Sequence, residues 1–238
     1  MSLILRAAML SDVGLVRSNN EDSAFAGRRL LVIADGIGGL PAGELASDLI
    51  VKVLAPLDEQ PEPDHPLATL REAVEAANQQ IRAAADEDPG REGMGTTVTA
   101  LLLSGDQLAL FHVGDSRAYL LRDGGFRQIT KDDTYVQSLV DHGVLTPEEA
   151  RAHPQRSVVT QAVQGQEFTP SGAIISPAPG DRYLLCSDGL SDYVSDDAIA
   201  VTLQSHRDQR ECAEALVRLT LDAGAPDNVS VIVADVTA

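Results

Sequence analysis

Residues 19–36 read NNEDSAFAGRRLLVIADG, and their reading decides the fold. Gly27 and the pair Arg28-Arg29 interrupt two runs that suit strands, so the stretch predicts a β-hairpin turning near the arginines. Opposed residues of an antiparallel pair share a constant sum of positions. A turn centred between Arg28 and Arg29 therefore sets Asp22 across from Asp35 at the open end. Two carboxylates held that close repel unless a cation or a shared proton lies between them. With another register both would be ordinary strand-end aspartates, and the hairpin alone leaves the two readings open.

Downstream, LLVIADGIGGLPAGE (30–44) is a buried-strand pattern that stops at Asp35 and runs into Gly36, Gly38, Gly39 and Gly43. A phosphate loop, a metal site and a plain turn all suit such a junction. The first fails, because no P-loop lysine or complete dinucleotide fingerprint follows the strand.

Further strands are predicted over Ile4–Leu10, Val98–Leu103, Leu108–Val113, Ala118–Leu121, Tyr183–Cys186 and Val229–Val236. Gly105-Asp106 and Asp123-Gly124 read as hairpin turns, which makes the middle block antiparallel. Leu45, Leu49, Val53 and Leu57, with Ile50 and Leu54, form one helical stripe. Leu67, Leu70, Val74, Ala77 and Ile81 form a second, and Pro56, Pro61, Pro63 and Pro66 break the chain between them. Two more helices are predicted over Ser195–Leu203 and Gln209–Ala223. This order lacks strict β-α-β alternation and points to an α+β fold of packed sheets with paired helices outside. The segment Thr130–Pro170, with weak helical patterns at Tyr135–Val140 and Pro147–Ala152, suits a surface flap or a structural excursion.

The chain has 238 residues, enough for one large domain, and its 44% apolar and 23% charged content is that of a globular protein. Acidic residues outnumber basic ones 36 to 18, so the net charge of −18 argues against nucleic acid or anionic membrane as a partner. With no signal-peptide pattern and no long apolar run, a cytoplasmic location is expected. Cys186 and Cys212 suit neither a disulfide framework nor a zinc spacing, and the five histidines are too scattered for zinc.

Three more aspartates stand where apolar runs meet a turn: Asp115 in ALFHVGDSRAYL, Asp188 in YLLCSDGLSD and Asp227 in AGAPDNVSVIV. One such residue is ordinarily a turn former. Five in one chain point to a hard cation such as magnesium or manganese, which takes oxygen ligands.

The segments GLVRSNNED, VIADGIGGLPAGELAS, GMGTTVTALLL, VGDSRAYLLRDG, LLCSDGLSD and PDNVSVIV resemble, in order and spacing, the metal-dependent protein phosphatases, or type 2C serine/threonine phosphatases. TPEEARAHPQRSVVTQAVQG is similar to the bacterial members. The resemblance spans nearly the whole chain and implies a single phosphatase domain over 1–238, with a flap at about 130–170. It further implies a central β-sandwich of two antiparallel sheets flanked by pairs of α-helices. At one end two Mn²⁺ or Mg²⁺ ions would be bridged by a hydroxide that attacks the phosphorus of phosphoserine or phosphothreonine.

By the same resemblance Asp35 bridges both metals, Gly36 offers its carbonyl to the second, and Asp188 and Asp227 hold the first. Glu21 and Asp22 contact metal through water, Asp115 with Asp188 holds a weaker third ion, and Arg17 grips the phosphate. A guanidinium fork offers paired donors to a phosphate dianion. Arg117 is either a second phosphate ligand or a structural ion pair. The implied partners are phosphoproteins and the serine/threonine kinase that modifies them, with a monomer as the expected state.

Two departures stand out. The family commonly carries a histidine in or beside the DGxGG turn, where this chain has Ile37 and Leu40, so no general acid is assigned there. Asp132-Asp133-Thr134 replaces the usual Asp-His-Ser at the flap. A catalytically weak, metal-binding regulatory module of the same fold is the alternative reading.

Overall fold

Leu30–Ala34 is apolar at every position because both of its faces are buried. Leu30, Val32 and Ala34 pack toward helices, whereas Leu31 and Ile33 pack toward a second sheet. The structure, a computed structural model, describes residues 3–38 and 42–238.

Its strands are β1 (Ile4–Asp12), β2 (Asp22–Ala26), β3 (Leu30–Ile37), β4 (Gly95–Thr96), β5 (Val98–Ser104), β6 (Gln107–Val113), β7 (Arg117–Arg122), β8 (Gly125–Gln128), β9 (Ser171–Ile175), β10 (Arg182–Cys186) and β11 (Val229–Thr237). Its helices are α1 (Ala42–Leu54), α2 (Pro66–Glu87), α3 (Tyr135–Asp141), α4 (Pro147–Arg151), α5 (Asp188–Ser191), α6 (Asp196–Ser205) and α7 (Gln209–Asp222). One antiparallel sheet runs β1-β11-β10-β7-β8, and the other runs β2-β3-β5-β6-β9 with β4 added beside β3.

The sheets pack face to face through Leu31, Ile33, Leu101, Tyr183, Leu185 and Ile232. α1 and α2 cover one outer face through Ile50, Leu54, Leu70 and Val74, and α6 and α7 cover the other through Ile199, Leu203, Leu216 and Val217. The α+β sandwich expected from the sequence is therefore the fold. Both predicted hairpin turns are present: Ser104 pairs with Gln107, and Arg122 with Gly125. At the second, Asp123 and Gly124 both take positive φ, 51° and 79°, as a twist-matched two-residue turn requires.

Some local expectations are corrected. On α1 the buried stripe is Ala46, Ile50 and Leu54 with Gly43 and Ser47, while Leu45, Leu49 and Val53 are only partly covered. Small side chains let this helix lie close to the sheet. Leu57 falls beyond α1 in a 3-10 turn, Ala55–Asp58, opened by Pro56. β9 went unrecognised because it is an edge strand whose residues are mostly exposed. Asp188, read as a turn residue, opens the short helix α5.

The hairpin register pairs Asp22 with Asp35 and Ala26 with Leu31. Its tip is gripped from α1's end: Asp58 Oδ1 accepts from the N–H groups of Arg29 (2.7 Å) and Leu30 (2.9 Å), and Oδ2 from that of Arg28 (3.2 Å). Asp58→Ala would orphan these donors. We expect it to cost about 2 kcal/mol, which thermal unfolding reads as a fall in Tm of about 4–8 °C.

Candidate metal centre

The open ends of the strands meet at one end of the sandwich in a cavity of about 230 Å³, whose lining includes Arg17, Asp35, Gly36, Asp115, Asp188 and Asp227. β3 delivers Asp35, whose backbone is clamped from both sides. Its N–H donates to Thr97 Oγ1 at 3.0 Å, and its carbonyl accepts from Thr97 N at 2.9 Å and Thr96 Oγ1 at 2.9 Å. A Cβ at Gly36 would lie 2.4 Å from the Gly43 carbonyl oxygen and 2.6 Å from that of Glu21. Only glycine lets β3 leave between the hairpin and α1.

Asp22, across from Asp35, accepts from Ser187 Oγ at 2.8 Å through Oδ2, while its buried Oδ1 has no hydrogen-bond partner among the described residues. Asp188 stands at the first position of α5. Asp227 precedes β11, its Oδ2 accepting from Arg17 Nη2 and its Oδ1 from Asn228 N, at 2.8 and 2.9 Å. Arg17 itself is half exposed, 52%, with its charged end at the cleft. Glu21 is buried beside the hairpin mouth, where Asn19 Nδ2 donates to its Oε1 at 3.4 Å.

The electrostatics are strained. Asp35 and Asp188 keep a partly exposed face toward the cleft yet sit deep among protein atoms. Burial pushes both carboxyls well above their ordinary range, and neighbouring aspartates push them further. Burial likewise raises Asp22 to about 6 and Asp115 to about 7, the latter helped by Asp132 and Asp192.

Among the described residues, no three His, Cys, Asp or Glu side chains close on one point as a bound metal would require. Asp227 is engaged by Arg17 instead. The donor chemistry nevertheless fits a divalent cation: every candidate is an oxygen, one is an orphaned buried oxygen, and the carboxylates lack enough positive partners to be comfortable.

Sequence reasoning missed the uncharged residues that hold this end together. Asn228 Oδ1 accepts from Glu21 N at 2.8 Å, while its Nδ2 donates to the carbonyls of Val13 and Asn19 at 3.0 and 2.8 Å. Ser187 Oγ also accepts from Ser230 N at 2.9 Å, which ties α5 to β11. Only their adjacency to Asp188 and Asp227 could have flagged them. Arg117 proves to be a structural ion pair, its Nη2 2.6 Å from Asp132 Oδ2. Asp133 accepts from Gly114 N, and Thr134 caps α3, so the departing flap motif is used in local structure. Ile37 lines the cleft without a proton to give, and Leu40 lies outside the described residues.

These shifts have a sign. A carboxyl whose folded pKa is raised favours the folded state when protonated, so that stability is lost as pH rises through the folded value. In metal-free buffer Tm should therefore rise as pH falls from 8 to 6.5, by about 2–4 °C for each kcal/mol gained. Below that, buried His112, whose pKa burial lowers, begins to oppose the trend. With manganese the shift in Tm should shrink over the same interval, because protons compete for the ligands. A metal-free Tm flat from pH 8 to 6.5 would contradict this.

The fold and the cleft together define the class: a two-sheet sandwich between helix pairs, with a carboxylate cluster and one arginine at the strand ends. Residues 17–222 match the protein phosphatase 2C family, and the chain belongs to it. It is 55% identical over 236 residues to the serine/threonine protein phosphatase PstP of Mycobacterium tuberculosis, covering 99% of this chain and 46% of that protein. The chain thus spans about half the length of the mycobacterial relatives it matches. Protein phosphatase PhpP of Streptococcus pneumoniae is 36% identical over 242 residues, covering 95% of this chain and 96% of PhpP. The crystal structure of the PstP catalytic domain in complex with two manganese ions aligns over 100% of both chains, with a TM-score of 0.95 at 52% identity.

Proposed function

We propose that the chain hydrolyses phosphoserine and phosphothreonine in proteins with a pair of manganese or magnesium ions. The observation that carries this is the gathering of Asp22, Asp35, Asp115, Asp188 and Asp227 at one end of the sandwich, beside Arg17. Family membership and the two manganese ions of the PstP catalytic domain support it.

In this reading Asp35 bridges both ions, the Gly36 carbonyl serves the second, and Asp188 and Asp227 serve the first. Asp22 and Glu21 act through water, and Asp115 with Asp188 takes a weaker third ion. The ions supply Lewis acidity toward the phosphoryl group and a water of lowered pKa. Arg17, held at the cleft mouth by Asp227, offers the remaining donors of its fork to two phosphate oxygens. Thr96 and Thr97 fix the Asp35 backbone, and Asn228 fixes that of Glu21. No serine or cysteine nucleophile is required. The segment from about 130 to 170 is the flap of a single phosphatase domain, and its Ser157 and Val159 line the cleft.

The enzyme would oppose a serine/threonine kinase in the cytoplasm and act as a monomer. None of the helices described is long and apolar enough to cross a membrane. The test is metal removal: chelation should abolish hydrolysis of a phosphothreonine peptide, and added manganese should restore it, with calorimetry counting at least two sites. Manganese binding without turnover would instead favour the regulatory module, the reading that Ile37 in the loop supports.

A further inference from the structure

The layer between the two sheets is apolar at Leu101, Leu103, Leu108 and Leu110 and turns polar toward the cleft. Thr99 and His112, cross-strand partners on the same face of β5 and β6 as those leucines, are both fully buried. Thr97 and Ser116, also buried, extend the polar patch. Buried polar groups need partners, and these four find them in one chain of hydrogen bonds. Asp35 N–H donates to Thr97 Oγ1 at 3.0 Å, and Thr97 Oγ1 meets Ser116 Oγ at 2.8 Å. Thr99 Oγ1 lies 2.8 Å from the Ser116 carbonyl oxygen and 2.9 Å from His112 Nδ1. The other ring nitrogen, Nε2, lies 3.0 Å from the Lys131 carbonyl oxygen, where the chain enters the flap.

The partners decide where the ring hydrogen sits. A carbonyl oxygen only accepts, so Nε2 carries a hydrogen. Burial lowers the pKa of His112 against the pull of Asp133 and Asp132, the latter already paired with Arg117, so the ring holds one proton at pH 7.5. Nδ1 is then an acceptor, served by the Thr99 hydroxyl.

From Lys131 the connection runs on to the cleft. Asp133 is stitched to Gly114, two residues past His112: its N–H donates to the Gly114 carbonyl at 2.7 Å, and its Oδ2 accepts from Gly114 N at 3.0 Å. The Asp133 carbonyl accepts from Thr160 N at 2.7 Å, and Thr134 pairs with Val159. The two ends of the flap are thus joined, and the returning one carries Ser157 and Val159, which line the cleft.

We propose that His112, in its neutral Nε2–H form, is a positioning residue for the reaction. It ties the flap entry to the same buried chain that holds the Asp35 backbone, and so sets Ser157 and Val159 against the proposed bridging carboxylate. This rests on the phosphatase reading and adds a residue that touches neither metal nor phosphate.

Two substitutions separate the two sides of the ring. An asparagine amide reaches the place of Nδ1, and a glutamine amide that of Nε2. His112→Asn keeps a partner for Thr99 but leaves the Lys131 carbonyl without its donor, which His112→Gln restores. With manganese-loaded protein, His112→Asn should raise KM for a phosphothreonine peptide about fivefold with kcat little changed, the scale of one buried hydrogen bond. His112→Gln should bring KM back to within about twofold of wild type. p-Nitrophenyl phosphate, with no chain to lay across the flap, should show a smaller rise than the peptide in His112→Asn. In metal-free protein, exchange of the Thr160 amide should quicken about fivefold in His112→Asn and not in His112→Gln. Nitrogen NMR of the wild-type ring at pH 7.5 should show the neutral Nε2–H tautomer. The Nδ1–H tautomer, or equal peptide KM in the two variants, overturns the proposal. Wild-type protein that hydrolyses neither substrate overturns the phosphatase reading instead, and the tautomer and the amide exchange still decide the tie.

Discussion

Asp35→Asn is expected to remove metal-dependent phosphothreonine hydrolysis while making the metal-free protein harder to unfold. The side chain keeps its size, and the clamp from Thr96 and Thr97 acts on the backbone, so the local fold should persist. What is lost is the negative charge proposed to bridge both ions. Losing several kcal/mol of electrostatic stabilisation corresponds to about a thousandfold in kcat/KM. What is gained is relief, because burial and the neighbouring Asp22, Asp188, Asp115 and Asp227 all disfavour the charge on Asp35. Metal-free Tm should rise by about 2–4 °C for each kcal/mol of repulsion removed. Peptide turnover and thermal unfolding without metal read the two effects, and they should move in opposite directions. Undiminished turnover would remove Asp35 from the site, and the same loss is expected of Asp188→Asn.

Gly189→Ala should lose both quantities together. A Cβ at Gly189 would lie 1.8 Å from the carbonyl oxygen of Asn228. No flexible side chain can yield there: α5 and the segment entering β11 must move apart. Such overpacking costs about 3 kcal/mol, a fall in Tm of about 6–12 °C. Asp188 and Asp227 stand immediately beside the two colliding residues, so the same displacement spreads the proposed ligands of the first ion. Manganese should then bind weakly and turnover should fall even where the protein remains folded. Wild-type Tm in Gly189→Ala would show that this contact is soft.

How much was legible beforehand follows from the kind of information each residue carries. The Asp22–Asp35 pairing could be read because a turn fixes every pair behind it by arithmetic. The strands were legible where both faces are buried, as in β3 and β11, whose residues divide between two apolar layers. β9, an exposed edge strand, gives no such pattern. On α1 the large residues suggested one face, but the helix buries the side carrying Gly43, Ala46 and Ser47. Close approach to a sheet rewards small side chains, which a ranking by apolarity overlooks. Charged candidates stood out at strand ends, whereas Thr97, Ser187, Asn228 and Ser230 act by spatial adjacency alone. Arg117 leaves two readings open in the sequence, a phosphate ligand or a structural ion pair, and Asp132, fifteen positions on, decides for the ion pair.

Asp58 grips the hairpin at the end opposite to Asp22 and Asp35, one five-residue strand away, or about 17 Å. The hairpin is in that sense a ruler whose zero is set at Asp58 and read at the cleft. Adding one residue to the tip would slide the scale by one division and bring Ser23, not Asp22, opposite Asp35. Every side chain on the hairpin could be retained, and the two carboxylates would still no longer face each other. The length of this tip is therefore a functional dimension of the cleft, although no residue of the tip reaches it.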